Sequence, residues 1–74
     1  MKTNEEEFLC FVASVLGVDR SGLSLATAFG AIPEWDSVMH LRLVMEIQEK
    51  YGVDIPIERV PEVKTLGDFL EFVA

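Results

Sequence analysis

The stretch W-D-S-V-M-H-L-R-L-V-M-E-I-Q-E-K-Y, residues 35 to 51, leaves the chain few folds to choose from. Apolar side chains recur at Val38, Leu41, Val44, Met45 and Tyr51, with Leu43 and Ile47 on the same broad flank. That is helical spacing, and the stripe is wider than a two-helix seam needs. The boundary signals agree. Pro33 and Glu34 lie just upstream, Asp36 can accept the free N–H groups of a first turn, and Gly52 follows the last periodic residue. The spacing therefore predicts a helix that opens at Asp36-Ser37, with the Ser37 hydroxyl exposed at its positive end. Unpaired N–H donors and a partial positive charge make such an end a good place for a phosphate. Asp-Ser is also a common way to begin any helix, so the dipeptide alone identifies nothing.

A chain of 74 residues is expected to form a single domain, 1–74, near the lower limit for a core without staples or metal. Cys10 is the only cysteine, which excludes an internal disulfide, and no Cys/His cluster offers a zinc site. Stability must then come from apolar packing, and half of the residues are hydrophobic. No apolar run approaches membrane-spanning length, and the acidic start M-K-T-N-E-E-E lacks the pattern of a signal peptide. A soluble, cytoplasmic protein is the expectation. The formal net charge of -7 argues against nucleic acid, which requires clustered Lys and Arg, and favours basic protein partners. An acidic surface also serves plain solubility.

The flanking segments complete an all-α pattern. Glu5 to Gly17 reads as a first helix capped by Thr3 or Asn4, with Phe8, Phe11, Val12, Val15 and Leu16 as its stripe. Cys10 lies off the stripe's centre and reads as a partly buried small hydrophobe, since no His or basic neighbour lowers its pKa. Val18 to Glu34 is a long connection, punctuated by Gly22, Gly30 and Pro33. Its apolar anchors Leu23, Leu25, Phe29 and Ile32 predict packing across the bundle, with a short helical turn near Ala26 to Phe29. Beyond the central helix, Val53 and Ile55 point inward from an extended segment, and Ile57 to Val60 can form one turn closed by Pro61. Thr65 caps a last helix to Val73 with Leu66, Phe69, Leu70 and Val73 on one face, and Asp68 completes an acidic capping box. The sum is a small four-helix bundle, three main helices and one short one, with a long first loop.

The residues carry no self-sufficient chemistry. Ser37 and His40 are three apart and share a helical face, but Asp36 and His40 point in different directions. A triad needs an orienting acid behind its base and an oxyanion site, and a bundle this small has little room for a substrate pocket. On this reading His40 is a surface residue and the chain is not an enzyme. No EF-hand spacing and no glycine-rich phosphate loop is present, so no metal site is expected. Ser37 would then be an attachment point whose chemistry other proteins supply.

Taken together the chain resembles an acyl carrier protein, the phosphopantetheine-bearing module of fatty acid, polyketide and related pathways. The resemblance covers nearly the whole chain: E-E-E-F-L-C-F-V-A-S-V-L-G-V for the first helix, the loop with Phe29, the W-D-S-V-M-H-L-R-L-V attachment region, L-V-M-E-I-Q-E-K-Y-G-V-D-I-P, and V-K-T-L-G-D-F-L. It implies a free-standing carrier, monomeric, whose Ser37 receives 4′-phosphopantetheine from coenzyme A through a phosphopantetheinyl transferase. The arm's thiol then holds acyl or related intermediates as thioesters for loading and processing enzymes. Asp36 matches the family's acid that helps the transferase dock and place its Mg²⁺. An alternative is an unmodified helical interaction module, from which a carrier differs by the mass of the attached arm.

The sequence departs from the resemblance along its central helix. Family members are acidic there, whereas Met39, His40 and Arg42 occupy the first two turns here, Lys50 adds a cation, and Asp36, Glu46 and Glu49 are the acids that remain. Asp54, Glu58 and Glu62 offer acidity elsewhere. Trp35 before the Asp-Ser pair is common in carriers of specialised pathways. Leu43, Val44, Ile47 and Tyr51 are expected in the core, whereas Val38, Leu41 and Met45 form a strip leading away from Ser37. That strip could face the core, but the resemblance places these positions on the partner side, so the strip, flanked by Met39 and Arg42, is the expected partner-binding surface.

Overall fold

The computed structural model describes residues 4–73. Along them run α1 (Glu5–Leu16), a short 3-10 helix η1 (Arg20–Gly22), α2 (Ser37–Tyr51), a 3-10 helix η2 (Ile57–Glu62) and α3 (Leu66–Val73). No strand occurs among the described residues, and one isolated bridge joins Ala28 to Thr65. The architecture is the all-α bundle that the periodicity predicts.

α1 begins where Asn4 accepts the backbone N–H groups of Glu6 at 2.8 Å and Glu7 at 3.2 Å. Thr3, the other candidate cap, lies outside the described residues, as do Met1 and Lys2. Phe8, Leu9, Val12, Ala13 and Leu16 are buried, with Phe11 and Val15 partly so. The stripe is thus turned toward Leu9 and Ala13, which swings Cys10 outward. Cys10 is exposed rather than partly buried, a correction to the sequence reading. Local desolvation first, and the Glu6 carboxylate beside it second, push its thiol upward, away from reactivity.

The long connection is held by its backbone as well as by its side chains. Leu23 is buried and Leu25 and Ile32 are partly buried. The loop also donates and accepts across to the start of α3: Phe29 N–H to Lys64 O at 2.7 Å, Leu66 N–H to Thr27 O at 3.0 Å and Gly67 N–H to Leu25 O at 2.9 Å. The N–H groups that a helix leaves unpaired at its start are met here by a distant loop. That use of Thr27 and Phe29 prevents the helical turn expected at Ala26 to Phe29, and the turn forms earlier, at η1. A side chain at position 67 would put its Cβ 3.1 Å from Leu25 O, so glycine permits this approach. Arg20 ties the loop to α1, with Nε 2.8 Å and Nη2 2.7 Å from the two Glu6 carboxylate oxygens and Nη1 2.8 Å from Leu23 O.

After α2, Gly52 takes a left-handed φ of 65° that ends the helix. Gln48 then accepts the Ile55 N–H at 2.8 Å and Ile55 turns into the core. Pro61 does not close η2 but lies inside it, where its missing N–H removes one backbone bond and the Val63 N–H supplies the next, to Val60 O at 3.2 Å. The capping box of α3 forms as expected. Thr65 Oγ1 accepts from the Asp68 N–H at 3.2 Å, and Asp68 Oδ2 accepts from the N–H groups of Lys64 at 2.9 Å and Thr65 at 3.1 Å.

Candidate functional site

Asp36 sets the start of α2. Its carboxylate accepts the Met39 N–H at 2.9 Å and its carbonyl accepts the His40 N–H at 2.8 Å. A cap of this kind is worth about 0.5–2 kcal/mol. Ser37 is therefore the first helical residue, and its side chain is exposed. It stands at the edge of an open apolar groove of about 350 Å³, together with Phe29, Leu41, Ile57 and Pro61. The groove continues along α2 and η2 past Met45 and Ile55, and on the other side past Phe29 toward Val63.

Beneath this groove the structure corrects the sequence reading most sharply. His40 is not a surface residue: only 8% of it is exposed. Its Nδ1 accepts from the Trp35 indole N–H at 3.1 Å, and its Nε2 lies 3.1 Å from the carbonyl of Val60 on η2. A carbonyl can only accept, so Nε2 carries the ring proton and Nδ1 is the acceptor. Trp35 itself is wholly buried, stacked on the His40 ring with centroids 5.9 Å apart, and Phe69 packs on both rings. Phe29 covers them edge-on, 5.0 Å from His40 and 5.7 Å from Trp35, while its own outer side stays 45% exposed. Both ring nitrogens are engaged, so His40 has no free base to offer Ser37. The signal was present in the spacing: 40, 43, 44, 47 and 51 form one helical face, and the four companions are apolar.

The two flanks of α2 separate as expected. Leu43, Val44 and Ile47 are buried and Tyr51 is partly buried against Phe8 and Phe11. Val38, Leu41 and Met45 are exposed by 74%, 55% and 63%. Arg42 is exposed and faces Glu46 at 3.6 Å. Met39 departs from its expected place, because it is partly buried against the core. Ile57, the first residue of η2, is 81% exposed across the groove from Leu41.

Residues 6–73 match the family described as the phosphopantetheine attachment site. The chain is 31% identical over 77 residues to the acyl carrier protein of Tropheryma whipplei strain Twist, covering 99% of this chain and 94% of that one. It is 32% identical over 75 residues to the acyl carrier protein of Arthrobacter sp. strain FB24, covering 96% and 93%. That of Thermosynechococcus vestitus is 32% identical over 68 residues, covering 92% and 84%. The chain belongs to the acyl carrier protein family. It is a carrier and not an enzyme, and its cofactor is 4′-phosphopantetheine. The residues present fit that group: an exposed hydroxyl opens a 15-residue helix, whose positive end suits a phosphodiester, and an apolar groove begins beside it. No described helix of this carrier is long and apolar enough to cross a membrane.

Proposed function

We propose that the chain, a single carrier domain over residues 1–74, bears its phosphopantetheine on Ser37 and passes acyl groups between cytoplasmic enzymes of a fatty acid, polyketide or specialised pathway. The observation that carries this reading is the exposed Ser37 hydroxyl at the first position of α2. A transferase supplies the catalysis. Ser37 Oγ forms the new bond to the phosphorus of coenzyme A nearest the pantetheine, its proton is lost to a base of the transferase, and the nucleotide portion leaves. When bound, the cofactor supplies a thiol that holds an acyl group as a thioester.

The chain's own residues present and orient. Asp36 holds the first turn through Met39 and leaves its second carboxylate oxygen for a docked transferase and its Mg²⁺. Val38, Leu41 and Met45, with Arg42 beside them, are the surface that transferase and acyl-processing enzymes grip, and Met39 contributes only its exposed edge. Ile57 extends the same apolar surface across the groove. Exposed aliphatics beside the attachment point let a partner bind and orient the arm together.

The test is an intact-mass measurement after incubation with coenzyme A and a broad-specificity transferase. The parent chain should gain one phosphopantetheine, whereas Ser37→Ala should fold alike and gain none. Modification of the alanine variant, or none of the parent, would overturn the assignment.

A further inference from the structure

The chain carries 13 acidic residues against 6 basic ones, yet the surface beside Ser37 does not share that balance. Val38, Leu41, Met45 and Ile57 stand more than half exposed there. No carboxylate occurs between the helix cap, Asp36, and Glu46, and the one formal charge in that interval is Arg42. Asp54 borders the groove only where it passes Met45 and Ile55. Glu58, next to Ile57, is exposed and lines neither stretch of it. Helical spacing puts positions 38, 42 and 45 on one side of α2, so the guanidinium shares that side with the aliphatic side chains.

Arg42 is also the least committed arginine among the described residues. Arg20 is held by both carboxylate oxygens of Glu6, at 2.7 and 2.8 Å, and by Leu23 O at 2.8 Å. Arg59 lies 2.8 Å from Glu62 and over the ring of Phe72. Lys50 sits over the rings of Phe11 and Tyr51, and Lys64 lies in the field of Asp68. Arg42 has Glu46 alone, 3.6 Å from its Nε and beyond hydrogen-bond reach, and 60% of its side chain is exposed. Its fork of N–H donors is open, and a carboxylate fills such a fork best, in the bidentate manner.

We propose that the strip beside Ser37 is built for an enzyme whose docking face is apolar and presents a carboxylate to Arg42. This rests on the reading of Val38, Leu41 and Met45 as the surface that partners grip. The net charge of -7 draws basic proteins from a distance. Close contact is judged by a different group. A Lys or Arg of the partner set against Arg42 is repelled, and a Glu or Asp there is paired, so Arg42 acts on the choice of partner more than on the strength of binding.

The test uses one broad-specificity phosphopantetheinyl transferase in two forms, which carry Glu or Lys at the position that meets the second turn of the carrier's central helix. Binding to the full chain is titrated without coenzyme A, so no arm is transferred and the result stands whatever the fate of Ser37. The parent chain should prefer the Glu form by about two- to fivefold, the range of an exposed ion pair. Arg42→Glu should prefer the Lys form, and Arg42→Gln should not distinguish them. These preferences should fade between about 0.01 M and about 1 M salt, as the Debye length falls from about 30 to about 3 Å. Equal binding of both forms by the parent, or a parental preference for the Lys form, would overturn the proposal. Leu41→Glu separates that failure from failure of the reading beneath it. If Leu41→Glu weakens both forms while the parent does not discriminate, the strip remains a docking face and the role of Arg42 alone is lost. If Leu41→Glu leaves binding unchanged, the docking face is lost and the proposal with it. A chain that sediments as a dimer, and as a monomer once Arg42 is reversed, would assign the strip to a second copy and overturn the proposal too.

Discussion

Along α2, one flank carries Leu43, Val44 and Ile47 and the other carries Val38, Leu41 and Met45, so the two are matched in size and hydrophobicity. The first set is buried in the core, while the second stands more than half exposed on the side of Ser37. Residue type does not explain the difference. What separates them is angular position on the helix relative to Phe8, Val12, Trp35 and Phe69, the bulky groups that occupy the centre. A small bundle has only so much interior, and the aliphatic residues left over are available as a surface. The comparison teaches that the hydrophobic excess of this chain is sorted by position, one part packed to hold the helix that begins at Ser37, the other left exposed on its outer side.

The comparison breaks most visibly in the interior. Leu43→Ala should destabilise by about 2–5 kcal/mol, as the loss of a fully buried aliphatic side chain with a residual cavity does. Chemical denaturation reads this directly. A loss close to zero would mean that the inner flank is not the one that holds α2 in place.

His40 sharpens the division because it is a polar member of the inner flank. His40→Ala should cost about 1–3 kcal/mol, the scale of leaving buried hydrogen-bonding groups without partners, here the Trp35 N–H and the Val60 carbonyl. The check is denaturation together with the Trp35 fluorescence, which should report an altered environment. A surface histidine would give neither effect.

Asp68 provides a control that touches neither flank. The N–H of Lys64 first, and that of Thr65 next, hold its carboxylate below the ordinary carboxylate range. A group whose folded pKa is depressed contributes stability above its unfolded pKa and loses it as the pH falls through the folded value. Melting temperature should therefore decline on that acid limb, and Asp68→Asn should flatten part of the decline. The effect is small, since the group is at the surface. An unchanged acid limb in the variant would remove the capping box from the account.

How much of this was legible beforehand follows from which interactions leave a trace in spacing. α2 was readable from both ends, because Asp36 and Gly52 are local signals and the stripe between them is regular. The box at Thr65 and Asp68 was readable for the same reason. The anchoring of the first loop was half readable: Leu23 and Ile32 announced themselves as apolar, but the bonds from Leu25, Thr27 and Phe29 to the start of α3 use backbone atoms that any residue carries. The exposure of Cys10 is hidden in the sequence because Leu9 and Ala13, rather than Phe11 and Val15, centre the stripe of α1. The burial of His40 is legible only from position, since 40, 43, 44 and 47 share a face, whereas a histidine by residue type alone points to the surface. Ser37 is legible as a helix-start position, and the attachment role proposed for it comes from the resemblance of the whole chain.

The outer flank is where the smallest effect on stability and the largest on function should coincide. Leu41→Glu and Met45→Glu replace exposed side chains, so each should change stability by no more than about 0.5 kcal/mol. The central claim is that this flank is read by partners and not by the core. It is tested most directly by measuring, on the same samples, the melting temperature and the rate of phosphopantetheine transfer from coenzyme A. Unchanged melting with transfer slowed at least several-fold in both variants is the predicted result. Unfolding of the two variants, or transfer at the parental rate in both, would contradict it.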